Sequence, residues 1–282
     1  MSDLNPPSQH PSVTPALSKN QQKRIAQIEK RRQQHAERKQ QQKEQKQLLK
    51  EQRRAELSQM PDEERQRVLD EYKASRLLQS MENEMRKMRL SKCIEDHSLP
   101  LVILDCGFSS LMSDKELFYS CQQLEMIYGV NSSSEHTLPL CFSSFNGQFL
   151  EAMDRYRPTH VNWKVFKSSE PFNSESARCH RQKVVYLTAD SPNVLTDIEK
   201  NTGYVVGVIV DRNRLSGTTL EVAGSSAVET ARLPLQEHCV LASSAVLSTV
   251  HVVDIIRLKY SGLDWKSTLQ QCLPARKVSN WL

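Results

Sequence analysis

Two apolar runs, residues 184–187 (VVYL) and 204–210 (YVVGVIV), each stop at a polar cluster, and one polar segment of helix length separates them. Runs this short and this rich in Val, Ile and Tyr read as strands buried on both faces. Two of them joined by such a segment read as parallel strands with a crossover helix. The first cluster is Thr188-Ala189-Asp190-Ser191-Pro192, the second Asp211-Arg212-Asn213. Ligands of an open parallel sheet sit beyond the carboxyl ends of its strands, so both clusters fall where a site belongs. Asp190-Ser191-Pro192 also reads as a helix start, a capping residue ahead of a first-turn proline. Asp211 equally fits a loop cap.

Upstream, residues 101–104 (LVIL) form a first strand that ends at Asp105. Ser113-Asp114-Lys115-Glu116 has the form of a capping box and starts a helix through Leu117, Leu124 and Ile127 to about Tyr128. Residues 138–142 and 161–165 are further strand candidates, with a short helix over 147–153 between them. Residues 218–223 and 230–235 follow the central pair, and two helices, 250–260 and 263–272, close the chain. Strands alternating with helices predict one α/β domain over residues 98–282.

The first third of the chain cannot belong to that core. Residues 1–18 hold four prolines among Ser, Thr and Asn and read as a disordered leader. Residues 19–54 carry thirteen Lys/Arg against four Glu, a local balance of +9 within a chain whose net charge is +5. Gln, Lys, Arg and Glu favour helix, but Ile25, Ile28, Leu48 and Leu49 sustain no stripe, so residues 21–54 read as helix solvated all round, within a basic helical extension over residues 19–97. It is either a linker or import patch, or an arm that lies along phosphates, Lys23, Arg24, Arg31 and Arg32 among its cations. A second helix starts at Pro61-Asp62-Glu63-Glu64 and carries Leu77, Leu78, Met81, Met85 and Met88 at helical spacing, a docking face rather than a cofactor box.

No run approaches the roughly 20 apolar residues of a membrane helix, so no membrane partner is expected. The first twenty residues argue against a secretory signal and give little support to a mitochondrial presequence. Seven scattered cysteines, none in a C-x-x-C pair, fit a reducing compartment, nucleus or cytoplasm or both. Cys179 and His180 adjoin without a second pair at ligand spacing, so no metal site is expected. His251 lies in an apolar helix and reads as a core histidine; Arg276-Lys277 reads as a solvated terminus.

No dinucleotide fingerprint, phosphate loop or nucleophile elbow is present. What is present is an ordered set: LDCGFSSLMSDKEL at 104–117, Gln123, NGQ at 146–148, VNWK at 161–164, YLTADSPNVL at 186–195, VIVDRN at 208–213, ARLPL at 231–235 and PARK at 274–277. Together these resemble the tRNA purine-9 N1-methyltransferases, the monomeric branch of the SPOUT superfamily. The resemblance implies a SPOUT-type α/β fold with a C-terminal trefoil knot behind a basic extension, S-adenosylmethionine as cofactor, tRNA as partner and a monomeric working state. It implies cofactor contacts at Leu187, Thr188, Gly207, Asp211, Leu233, Leu235, Leu247, Thr249 and Val250. It makes Asp211 the candidate catalytic carboxylate, sets Gln123 near the target base, and puts Arg212 and Asn213 in the same loop toward the substrate.

The chemistry agrees with a carboxylate there. Guanine N1 carries a proton at neutral pH, so a base must accept it as the C–N bond forms; adenine N1 has a free lone pair and needs none. A positioned carboxylate contributes roughly 10²–10⁴-fold to such a step. The sequence departs from the family pattern at Val208, where a second glycine is usual, at Leu215-Ser216-Gly217, which lacks the usual cation, and at Val250, where an Asn is usual. Two readings therefore stand: an S-adenosylmethionine-dependent enzyme acting on purine 9, guanosine favoured, or a tRNA-binding relative without productive cofactor binding. A generic basic scaffold would explain the extension and leave the ordered motifs unexplained.

Overall fold

The computed structural model describes residues 19–211 and 214–282, with the side chains of 19–28, 30–32 and 35 left aside. The expected leader, residues 1–18, lies outside them. The chain divides between Leu78 and Gln79 into two compact units.

Helix α1 (Lys19–Gln59) lies in the first unit, and α2 (Asp62–Glu95) begins there and runs on past Leu78. The break falls at Pro61, because proline disfavours helix in the residue before it and is tolerated in a first turn. The new helix starts with Asp62, Glu63 and Glu64, acids that complement its positive end. Leu48 and Leu49 of α1 are exposed. The Arg53 guanidinium lies 5.2 Å over the Tyr72 ring.

The second unit is built on β1 (Leu101–Asp105), α3 (Asp114–Ser133), β2 (Leu140–Ser143), α4 (Gly147–Tyr156), β3 (Phe166–Lys167), α5 (Glu175–Arg178), β4 (Lys183–Leu187), β5 (Thr202–Gly207), α6 (Thr218–Ser225), β6 (Glu229–Ala231), β7 (Cys239–Leu241), α7 (Thr249–Tyr260), α8 (Trp265–Cys272) and β8 (Val278–Trp281). Six of the strands form one parallel sheet in the order β3-β2-β1-β5-β4-β6. β7 and β8 pair antiparallel as a separate ribbon.

Strand alternation divides the core. Val102, Leu104, Phe142, Leu187 and Val206 point to one face, under Leu117, Leu124 and Ile127 of α3, Phe149 and Met153 of α4 and Val253 and Ile256 of α7. Leu101, Ile103, Cys141, Tyr186 and Val205 point to the other, against Phe172, Ala177 and Ala223. Each Val, Leu, Ile, Phe or Met among them contributes about 1.5–3 kcal/mol by leaving water. The capping box forms as read: Glu116 N donates to Ser113 Oγ (3.4 Å) and Ser113 N to Glu116 Oε2 (2.8 Å).

Three expectations need correction. The segment between β4 and β5 holds no helix. Its backbone is used elsewhere: Val194 bridges to Arg232, Leu195 N donates to Arg232 O and Arg232 N to Asn193 O, both at 2.8 Å. Leu195 and Ile198 are buried, and Trp265 Nε1 of α8 donates to Thr196 O at 2.7 Å. Asp190-Ser191-Pro192 accordingly starts no helix. Nor are residues 161–165 a strand: a 3₁₀ turn with proline at its start occupies Pro158–Asn162, Trp163 stacks on Tyr128 at 4.8 Å, and pairing with β2 begins only at Phe166. The β7–β8 ribbon is not visible in the sequence pattern.

Arg181 is 2% exposed and holds the entrance to β1. Its guanidinium donates to Leu99 O (3.2 and 3.0 Å), Cys179 O (2.7 Å) and Asp96 O (3.4 Å). Arg181→Met strands these carbonyls and is expected to cost about 2–4 kcal/mol. A urea melt reads the loss as a lower midpoint at unchanged slope; a change under about 0.5 kcal/mol would show that water replaces the guanidinium.

Candidate functional site

Because every strand of the main sheet runs the same way, the loops after β4, β5 and β6 leave from one edge. They surround a cavity of about 430 Å³. Leu187, Thr188 and Asp190 come from the loop after β4, Gly207, Ile209 and Asp211 from that after β5, and Leu233, Leu235 and Gln236 from that after β6. The fourth side is the stretch before α7, Ser244, Ala245, Val246 and Leu247, with Thr249 and Val252.

Hydrogen bonds fix these loops to one another. Thr188 N donates to Ala231 O at 3.0 Å. Thr219 Oγ1 donates to Thr188 Oγ1 at 2.8 Å, and Gly217 N to Asp190 Oδ2 at 3.0 Å. Asp190 thus caps the entry to α6 and not a helix of its own. Thr249 Oγ1 donates to Gly207 O at 3.3 Å, which ties α7 to the end of β5. Asp211 stands half-buried on the rim, and its Oδ2 accepts Leu215 N at 2.6 Å, bending the chain back toward α6. Arg214 donates to Leu111 O at 2.9 Å and pairs with Glu116 at 3.4 Å, anchoring the same loop on α3.

Beneath the floor, Asp105 is 2% exposed and is paired across β1 and β5 with Gly207. Tyr186 Oη donates to its Oδ2 and Gly107 N to its Oδ1, both at 3.1 Å. Burial raises the Asp105 carboxyl above its ordinary value, against hydrogen bonds from Gly107, Tyr186 and Ser144 that pull it down. Burial, and then that carboxylate, raise the Tyr186 phenol.

Of the residues singled out in the sequence, Leu187, Thr188, Gly207, Asp211, Leu233, Leu235, Leu247 and Thr249 meet at the cavity. Val250 does not. It lies on the opposite side of the α7 start, in a crevice with Ile127, Val130 and Asn131 of α3. Gln123 on α3 is also absent from the wall, and its Oε1 is buried without a hydrogen-bond partner. Arg212, Asn213 and the side chains of Lys23, Arg24, Arg31 and Arg32 lie outside the described residues. Val208 is fully buried in the core and its N–H donates to Asp105 O at 2.8 Å, so its side chain adds nothing to the wall.

Sequence reasoning missed Arg232, Gln236, Thr219 and the stretch 244–246. Arg232 and Gln236 sit inside and beside the ARLPL motif, which is where a signal lay. The Thr188–Thr219 hydroxyl pair joins positions that only folding brings together. Arg232 is held by Glu237 in a two-pronged pair at 3.1 and 2.7 Å. No group of three or more His, Cys, Asp or Glu side chains is placed to hold a metal among the described residues, and no helix among them is long and apolar enough to cross a membrane.

A wall of Leu, Ile and Val with three strand-end loops turned toward it suits an apolar or nucleoside-like ligand whose polar edges are read by backbone groups. A model of the family described as tRNA (guanine(9)-N(1))-methyltransferase TRM10/TRM10A matches residues 15–278. The tRNA (guanine(9)-N1)-methyltransferase of Schizosaccharomyces pombe is 29% identical over 225 residues, covering 79% of this chain and 71% of that protein. The tRNA methyltransferase 10 homolog A of Rattus norvegicus is 33% identical over 200 residues, 71% of this chain and 59% of its own length. This chain thus spans about three fifths of that mammalian relative. The crystal structure of full-length spTrm10 in complex with SAH superposes with a TM-score of 0.56 at 28% identity, covering 62% of this chain and 95% of that one.

Gly207 is tightly packed. A Cβ there would stand 3.0 Å from Thr219 Cγ2, 3.2 Å from Tyr186 Oη and 3.3 Å from Phe108 Cε2. Gly207→Ala is expected to lower stability by about 1–3 kcal/mol through overpacking. At Gly129 of α3 an added Cβ meets nothing within 4 Å, so Gly129→Ala is expected to raise stability by about 0.5–1 kcal/mol. Thermal melts of the two variants should move in opposite directions; a neutral Gly207→Ala would show that the floor of the cavity yields.

Proposed function

Because the chain belongs to the tRNA (guanine(9)-N(1))-methyltransferase family, we propose that it transfers a methyl group from S-adenosylmethionine to N1 of the purine at position 9 of tRNA, guanosine favoured. The observation that carries this reading is the convergence of three strand-end loops on one apolar cavity with Asp211 at its rim. The spTrm10 relative has been solved with SAH bound, and this cavity has a wall that would accept the same class of ligand. When bound, S-adenosylmethionine supplies an electrophilic methyl on a sulfonium.

The chain's own groups do the rest. Leu187, Leu233, Leu235 and Leu247 exclude water, while Thr188 and Thr249 fix the loop edges at the ends of β4 and β5. Gly207 lets those elements approach. Asp211 accepts the guanine N1 proton as the methyl arrives, its carboxylate held in place by Leu215 N. The resemblance sets Gln123 near the target base, although its Oε1 is buried and Gln123 stands apart from the cavity wall. Arg212 and Asn213 approach the substrate from the Asp211 loop. Of the positions that depart from the family pattern, Val208 and Val250 stand outside the cavity wall, which supports the catalytic reading, whereas Leu215 and Ser216 line it.

The same reading extends to the chain path and the partner. The segment after β4 threads beside Arg232 and under α8, and β6 pairs outside β4, features that support a trefoil knot in the C-terminal part. A monomer is the working unit that the resemblance implies. The basic extension, with Lys23, Arg24, Arg31 and Arg32, grips the tRNA body.

Two transcripts differing only in G or A at position 9 test the activity, with Asp211→Asn alongside. Product is expected on the G9 transcript, and Asp211→Asn should lower its turnover by roughly 10²–10⁴-fold while sparing any A9 reaction. Equal losses on both bases would assign Asp211 a positional role; no product with tRNA still bound would leave a tRNA-binding relative. Deletion of residues 1–54 should weaken tRNA binding and flatten its salt dependence, leaving cofactor affinity unchanged. Unchanged tRNA affinity in filter binding would return the extension to a linker or import role.

A further inference from the structure

Of the Arg276-Lys277 pair that reads as a solvated terminus, only Arg276 is one. The 3₁₀ turn Ala275–Lys277 leads into β8, and Lys277 is half-buried there while Arg276 is exposed. Lys277 Nζ donates to Ser244 O and Val246 O, both at 2.8 Å. Its own carbonyl accepts Ala242 N at 2.9 Å. One residue therefore holds the stretch between β7 and α7 at three points, and that stretch is the fourth side of the cavity, with Ser244, Ala245, Val246 and Leu247 in the wall.

Residues 242–247 lie between two regular elements, because β7 ends at Leu241 and α7 begins at Thr249 with Ser248 as its cap. Carbonyls bordering a cavity point where the local chain sends them unless a donor fixes them, and a charged donor makes about twice the bond of a neutral one. Burial, and then the Arg276 cation, lower the Lys277 ammonium below its ordinary value, as befits a group turned inward from solvent.

We propose that Lys277 is a positioning residue for the cofactor: its ammonium clamps the Ser244 and Val246 carbonyls, so that residues 244–247 present a fixed wall to the methyl donor. The proposal rests on the reading of the cavity as the S-adenosylmethionine site. It separates two cations that the sequence presents as neighbours. Lys277 acts on the cofactor wall, whereas Arg276 faces solvent.

The test is calorimetric titration of the full chain with S-adenosylhomocysteine, for the native protein and for Lys277→Met, Lys277→Arg and Arg276→Met. Lys277→Met should weaken binding at least about tenfold, since two hydrogen bonds from a charged donor are lost. It should raise KM for S-adenosylmethionine with kcat at saturation and tRNA affinity unchanged. Lys277→Arg, which keeps two donors, should recover most of the loss, and Arg276→Met should show none. Hydrogen–deuterium exchange of the 243–247 amides in the ligand-free protein should rise in Lys277→Met and stay near native in Lys277→Arg, which reads the clamp even where binding is too weak to titrate. Unchanged S-adenosylhomocysteine affinity in Lys277→Met overturns the clamp alone. Lost tRNA affinity with a salt slope reduced by about 1 reassigns Lys277 to a phosphate contact. A native protein that binds no S-adenosylhomocysteine overturns the cofactor reading, and the clamp with it.

Discussion

The pairing of β5 between β1 and β4, all three parallel, is the constraint on which the rest of the second unit depends. Parallel neighbours cannot be joined by a tight turn, so each connection must cross a face and return. Every strand then ends on the same side, and residues 188, 207 and 231, far apart in the chain, become neighbours. The register sets Asp105 beside Gly207 and Leu187 beside Val206. A slip of one residue would send the Leu187 and Val206 side chains to the opposite face and bury the loops that now line the cavity.

That arrangement explains why the floor of the cavity is a buried polar pair. Strand β5 ends in a glycine because Thr219, Tyr186 and Phe108 all crowd its position. Tyr186, pushed into the lower face, needs a partner for its hydroxyl, and Asp105 at the end of β1, on the far side of β5, provides it. A carboxyl so deeply buried is costly unless its oxygens are taken up, and Gly107 N and Tyr186 Oη do so. Binding geometry and core packing are thus the same contacts seen from two sides.

The C-terminal end completes what the sheet begins. The segment between β4 and β5 forgoes helix and spends its backbone on the strand-end loop after β6, while α8 holds it through Trp265. The β7–β8 ribbon brings Lys277 back to the stretch before α7. Two of the three departures from the family pattern lie away from the cavity, while the third puts Leu215 and Ser216 in its wall. Val208 sits in the core and Val250 against α3, so neither changes the surface a ligand meets.

The sequence by itself determined the elements and most of the wall. The apolar runs, the Ser113–Glu116 box and the break at Pro61 are local signals, written in neighbouring residues and read by local sterics and hydrogen bonding. Thr188 and Asp211 were legible because each belongs to a polar cluster that follows an apolar run, and a strand end in a parallel sheet is a site by topology; Leu187, Gly207, Leu233 and Leu235 were legible only through the family resemblance of the motifs that hold them. What only the tertiary structure decided was where the connections spend their hydrogen bonds. A polar segment of helix length became an irregular crossover because Arg232 offered its backbone a partner, and Asp190 capped α6 because Gly217 came within reach. Lys277, a surface cation by composition, turned inward because two loop carbonyls more than thirty residues away needed a donor. Propensity acts over a few residues, whereas the demand that every buried polar group find a partner is met only once the whole chain is in place.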